Sequence, residues 1–142
     1  MISRIEQASD RVVLIGEMPY PEEPGIDCLT AHSDDIQACN TPAEDALEPE
    51  TAEAERQVAS EMDAAYVDVV PWFCTAITCP AVIGGLTVHR DDHHVAENYA
   101  VWLSGVLGRA AGMVLKGDPI GTVTFPAATD ETPTPQPVWR ET

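Results

Sequence analysis

Apolar and polar positions alternate along this chain with two different periods, and each period predicts an element. Arg11-Val12-Val13-Leu14-Ile15-Gly16 is a β-branched run closed by glycine, the pattern of a strand buried on both faces in a parallel sheet. Tyr66-Val67-Asp68-Val69-Val70 is a second such run, ended by Pro71, and Leu86 to His89 gives a brief third strand. Helical spacing falls between and after them. Thr41-Pro42-Ala43-Glu44 reads as a capping box with proline at the first helical position, so a helix is expected to begin there. Pro49 interrupts it, and Glu50 to about Ala65 follows as an amphipathic surface helix with Ala54, Val58, Met62 and Ala65 along one stripe. From Val95 onward, Tyr99, Trp102, Leu103, Val106, Leu107 and Ala110 form another stripe, expected to stop at Gly108 or Gly112. This order of strands and helices points to an α/β fold.

Between the periodic segments, Pro19, Pro21, Pro24 and Gly25 break regular structure, so Met18 to about Asn40 reads as a long loop. Trp72-Phe73-Cys74 and Cys79 to Gly85 read as a compact apolar loop. A domain over residues 1–116 is expected to give way to an acidic, Pro- and Thr-rich disordered tail over residues 117–142, in which Trp139 is a loose end.

Charge removes whole classes of function. In 142 residues there are 7 Lys and Arg against 24 Asp and Glu, a formal charge of −17, which repels nucleic acid and anionic lipid alike. The four cysteines form two short-range pairs, Cys28 with Cys39 and Cys74 with Cys79, among three connectivities. Pairing neighbours would staple two irregular loops by about 2–3 kcal/mol each and suits an oxidising compartment. A zinc site from Cys74, Cys79, His89 and His93 is the rival reading of the second pair. Met1 to Gln7 has no apolar core of signal-peptide length, and no transmembrane run occurs. That disagrees with an oxidising compartment, and the expectation that reconciles them is one portion of a longer exported or membrane-anchored protein.

The candidate chemistry sits in Val88-His89-Arg90-Asp91-Asp92-His93-His94, at the junction of a strand pattern and a helix pattern. The spacing Asp91-x-x-His94 lets a carboxylate and an imidazole meet across a tight turn, freeing the other ring nitrogen for a substrate or nucleophile. Rival readings are a helix cap at Asp91 or Asp92 beside a solvent-facing histidine, and a metal held by Asp91, His93 and His94. Trp72, Phe73 and Trp102 read as core, Trp72 alternatively lining a substrate pocket near the site.

Several features in order resemble one known family. They are the strand before Asp68, the loop Pro71-Trp72-Phe73-Cys74 to Cys79-Pro80, Val82-Ile83-Gly84-Gly85, and Arg90-Asp91-Asp92-His93-His94 followed by Tyr99-Ala100, with the Val13 strand and the Cys28 to Cys39 loop upstream. Over about Arg11 to Leu107 the chain is similar to the C-terminal part of the SGNH-type domain fused to bacterial acyltransferase-3 membrane acyltransferases. The resemblance implies a three-layer sandwich with a parallel sheet on the extracytoplasmic side of the membrane. No cofactor and no metal are expected, and by the resemblance the partners would be an acyl donor and a cell-envelope glycan acceptor. It assigns Asp91 as the orienting acid and His94 as the base of a serine nucleophile.

The chain departs from that pattern in lacking the Gly-Asp-Ser block, and His94 is followed by Val95 and Ala96 instead of Leu and a capping Thr. What is expected is therefore a partial domain, without the first strand and nucleophile block, inactive alone. It would be completed by the missing N-terminal SGNH portion and membrane acyltransferase domain. The alternative is a non-catalytic binding or accessory module on the same scaffold. An uncovered central sheet is also expected to leave the chain marginal in stability, oligomeric or aggregation-prone when made alone.

Overall fold

The computed structural model describes residues 11–115. The expected tail, Trp139, Ser3 and Ser9 lie outside the described residues. The centre is a parallel pair, β1 (Val13–Ile15) and β3 (Ala65–Val67), in the register Val13 to Ala65, Leu14 to Tyr66 and Ile15 to Val67. The pair continues by one hydrogen bond at each end, from Ala65 N–H to Val12 O and from Gly16 N–H to Val67 O.

Alternation along these strands separates two apolar layers. Val13 and Val67 face a large core with Trp72, Phe73, Val88, Tyr99 and Ala110, whereas Leu14 and Tyr66 face a smaller one with Ala59, Ala64 and Met62. The first layer is supplied by α5 (Glu97–Leu115) and the second by α3 (Pro49–Glu61), so helices cover both faces of the parallel pair. The fold is α/β, as the strand and helix periods imply.

Several expected elements shift for identifiable reasons. The long loop contains a short helix, α1 (Gly25–Ala31), and a 310 turn at Ile36–Cys39, joined by the disulfide Cys28–Cys39. Gly25 is what lets α1 lie against the core segment, because a Cβ there would come 2.5 Å from the His89 carbonyl oxygen. The expected capping box does not form. Thr41 enters a two-residue strand, β2 (Thr41–Pro42), antiparallel to β4 (Thr78–Cys79), and its hydroxyl accepts the Glu22 N–H. Helix α2 (Ala43–Ala46) starts after it without a side-chain cap.

Helix α3 has the expected period in a different phase. Ala59 is buried while Ala54 and Val58 are exposed, because Glu55 and Arg56 turn inward to polar partners. The helix ends at Glu61, four residues before the expected stripe does. Asp63 takes the left-handed conformation at φ 50°, and the N–H groups of Asp63 and Ala64 close back on the carbonyls of Ser60 and Ala59.

After β3 the chain makes a short turn of helix, α4 (Val70–Phe73), with Asp68 Oδ1 accepting the Val70 N–H. The disulfide Cys74–Cys79 closes the next loop, which excludes these sulfurs as zinc ligands. The expected third strand does not join the parallel pair. Leu86–Thr87 (β6) folds back on Val82–Ile83 (β5) through Gly84 and Gly85, both at positive φ, as a two-residue hairpin turn requires. Helix α5 carries the expected stripe into the core but passes through Gly105, Gly108 and Gly112. Gly105 and Gly108 lie on its exposed side, where the cost of about 1 kcal/mol per glycine is outweighed by burial of the opposite face.

Candidate functional site

The segment from Val88 to Ala96 is pinned at both ends before α5 begins. Val88 is fully buried and accepts the Ala96 N–H, His89 bridges to Val95, and Arg90 N–H donates to the His94 carbonyl at 2.8 Å. The chain between is forced into a tight loop that projects its side chains outward.

In that loop Asp91 and His94 meet as their spacing implies. His94 Nδ1 lies 2.9 Å from Asp91 Oδ1 and 3.1 Å from Oδ2. Oδ1 also accepts the backbone N–H groups of His93 and His94 at 2.9 and 2.8 Å. Arg90 approaches Oδ2 through Nε at 3.3 Å and Nη2 at 3.2 Å. The His93 N–H first, with His94 and Arg90 adding to it, holds the Asp91 carboxyl well below the usual carboxylate range. An ionised carboxylate only accepts, so Nδ1 of His94 is the donor in this contact and Nε2 is the ring nitrogen that Asp91 does not engage. Two-thirds of the His94 side chain is open to solvent.

The backbone N–H groups that Asp91 accepts belong to its own loop and not to α5, so the carboxylate closes the loop that also brings it to the imidazole, in place of the expected helix cap. His93 leans on Asp92, with Nδ1 2.7 Å from Oδ1, and both are exposed. Among the described residues no three His, Cys, Asp or Glu side chains are grouped as metal ligands. His89 is 5% exposed and stacks on Phe73 with ring centroids 5.9 Å apart. Burial lowers its pKa, and its ring bonds the Pro19 carbonyl. Trp72 is 5% exposed and packed in the large core, where its carbonyl accepts the Tyr99 hydroxyl.

A second concavity lies at the C-terminal ends of β1 and β3, the edge at which open α/β sheets bind ligands. It is a cleft of about 210 Å³ bounded by residues that sequence reasoning passed over, among them Glu17, Tyr20, Glu48 and Arg56. The signal available was positional, because Glu17 to Tyr20 directly follow the first strand run. The Tyr20 ring stands edge-on to His93 at 6.0 Å, so this cleft and the Asp91–His94 loop are neighbours.

Helices on both faces of a parallel pair, with an acid-held imidazole presented on a loop beyond the strands, define an α/β domain with its candidate chemistry at one loop. The chain belongs to the family of SGNH domains fused to AT3 domains, whose model matches residues 1–109. No curated protein matches the chain, and no solved structure does.

Serine is the group the loop does not bring with it. Among the described residues Ser60 lies on α3 and Ser104 on α5, where its hydroxyl donates to the Val101 carbonyl, and Ser33 follows α1. No helix among the described residues is long and apolar enough to cross a membrane.

Proposed function

We propose that this chain is the C-terminal portion of an SGNH-type acyltransferase or esterase domain. It would act on acyl esters of cell-envelope glycans at the extracytoplasmic face of the bacterial membrane. The observation that carries this reading is the Asp91–His94 contact, which orients the imidazole and leaves Nε2 outward. Nε2 takes the proton of a serine hydroxyl as its oxygen attacks the acyl carbon, and Asp91 stabilises the imidazolium. The tetrahedral oxyanion collapses, the alcohol leaves with the proton from Nε2, and water or an acceptor hydroxyl then takes the acyl group from serine by the reverse steps.

The serine arrives on a strand docked beside β1. Among the described residues β1 has β3 on one edge and no strand on the other, and Ile15 is 51% exposed. Hydrolysis of p-nitrophenyl acetate tests the reading. The chain alone gives no rate above buffer, whereas the chain joined to an upstream segment carrying a Gly-Asp-Ser block is active and loses activity in His94→Ala. Activity of the joined protein that survives His94→Ala refutes it.

The second reading, an accessory module without chemistry, draws support from the helical placement of Ser60 and Ser104 and the lack of a Gly-Asp-Ser block. It predicts an inactive joined protein.

A further inference from the structure

The cleft beside the acid–imidazole loop has a chemistry of its own. Its walls are apolar, formed by Met18, Pro19, Leu47 and Val70. Its volume of about 210 Å³ falls below the roughly 300–1,000 Å³ of drug-sized pockets, so the occupant is small. Glu17, Glu48 and Asp68 stand in the lining with Arg56 as its basic residue. Arg56 is already engaged, with Asp68 at 3.5 Å and Glu53 at 3.7 Å, and its guanidinium lies over the Tyr66 ring. Glu17 and Glu48 have neutral partners instead. Glu17 accepts the Tyr20 hydroxyl at 2.5 Å and Glu48 accepts the Thr51 hydroxyl at 3.0 Å. The cleft thus presents an apolar floor, an aromatic side and two carboxylates whose side-chain partners among the described residues are the Tyr20 and Thr51 hydroxyls.

We propose that this cleft binds a small organic ammonium ligand, its apolar body against Met18, Pro19, Leu47 and Val70 and its cationic end between Glu17, Glu48 and the Tyr20 ring. Charge complementarity decides the class. An anionic ligand would face an uncompensated pair of carboxylates, and a neutral one would leave that pair unused, whereas an ammonium group gains charge-assisted hydrogen bonds and the ring face together. Tyr20 has its pKa pushed up to about 12, first by its bond to Glu17 and by burial, and then by the nearby charges of Glu17, Glu48 and Glu55, which places those carboxylates around its hydroxyl. The whole chain, at −17, draws cations toward itself, and the apolar walls give the cleft its selectivity among them. This binding does not depend on His94 and stands apart from the acyl-transfer reading.

The test is an amide NMR titration of the full chain with cyclohexylammonium, cyclohexanol and cyclohexanecarboxylate as probes. Cyclohexylammonium is expected to give saturable shifts confined to Glu17–Tyr20, Leu47–Ala52 and Asp68–Val70. Cyclohexanol should bind about tenfold more weakly and the carboxylate not at all. Glu48→Gln should weaken the ammonium about fivefold or more, and Ala52→Leu, which fills the cleft, should abolish binding with the far-UV spectrum unchanged. Equal binding of cyclohexanol, non-saturating shifts at scattered surface carboxylates, or an unaltered affinity in Glu48→Gln each overturns the proposal.

Discussion

The wall that carries the Asp91–His94 loop and the strand that opens the cleft are built to different standards. Behind the loop stand Val88 and Tyr99 at 0% exposure, Phe73 at 3% and Trp72 at 5%, with three aromatic contacts running from His89 through Phe73 and Tyr99 to Trp102. At β1, Val13 and Leu14 are only half-buried and Ile15 is exposed. What holds β1 in place is the β3 ladder and a polar knot behind it, in which Glu55 accepts both the Glu17 N–H and the Tyr66 hydroxyl at 3.1 Å. The Asp91–His94 pair therefore stands on packed ground, and β1 stands on hydrogen bonds. Packing of that kind keeps an exposed pair in register without help, whereas the uncovered edge needs a neighbour to become rigid.

The largest expected effect breaks the packed side. Tyr99→Ala should cost about 3–5 kcal/mol in urea unfolding, because it opens a cavity against Phe73 and Trp102 and removes the hydroxyl bond to Trp72. Ile15→Thr, its counterpart on β1, should stay within about 0.5 kcal/mol. Equal costs would erase the contrast. Next comes the Cys28–Cys39 staple, whose removal as a double Ser variant should cost about 3 kcal/mol for a span of 11 residues, read as a lowered melting temperature.

Tyr66→Phe should cost about 1 kcal/mol and speed hydrogen exchange at Glu17, since Glu55 then loses one of its two donors. A pH profile separates the sides further. His89 is buried with its pKa lowered, so below its unfolded value of about 6.5 the unfolded chain takes up protons that the folded one refuses. Stability should therefore fall as pH drops from 7 through that value toward the folded pKa, and His89→Phe should flatten this slope in urea midpoints measured at pH 5 and 7.

Asp91 gives the smallest effect, with the same sign and at lower pH. Its folded pKa is depressed, so its contribution is fully present above about pH 4 and is lost only as pH falls through the lower folded value. Asp91→Asn should leave global unfolding nearly unchanged while raising amide exchange at His93 and His94, whose N–H groups the carboxylate holds.

Features decided by neighbours along the chain are legible in the amino-acid sequence. The two parallel strands, the inward stripe of α5 and the pairing of Asp91 with His94 follow from period and spacing. The two disulfides are legible as one of three open connectivities. Features decided across the fold are not. Helix α1 follows three prolines and has no side-chain cap, and its support comes from Cys39 and from the close approach of Gly25 to His89. The phase of α3 is set by Glu55 and Arg56, charged residues that a hydrophobic stripe places outside and that Tyr66 and Asp68 draw in. Thr41 is equally suited to a cap and to a strand, and Cys79 decides between them. Beyond the position of Glu17 to Tyr20 after the first strand run, the cleft leaves no signature in the sequence, because its lining comes from separate stretches whose residues have no pattern in common along the chain.

The two disulfides have one more consequence, which concerns proteases. Among the described residues, 30–38 are exposed throughout and Ile77 is 80% exposed, so a protease can meet the chain there. Both stretches lie inside covalent rings, Cys28–Cys39 and Cys74–Cys79, and the β2–β4 ladder between Thr41 and Cys79 ties one ring to the other. A cut at either place leaves a nicked molecule whose two pieces run as one until reductant is added. Within these two rings, a broken peptide bond is thus one whose loss leaves the chain in a single piece.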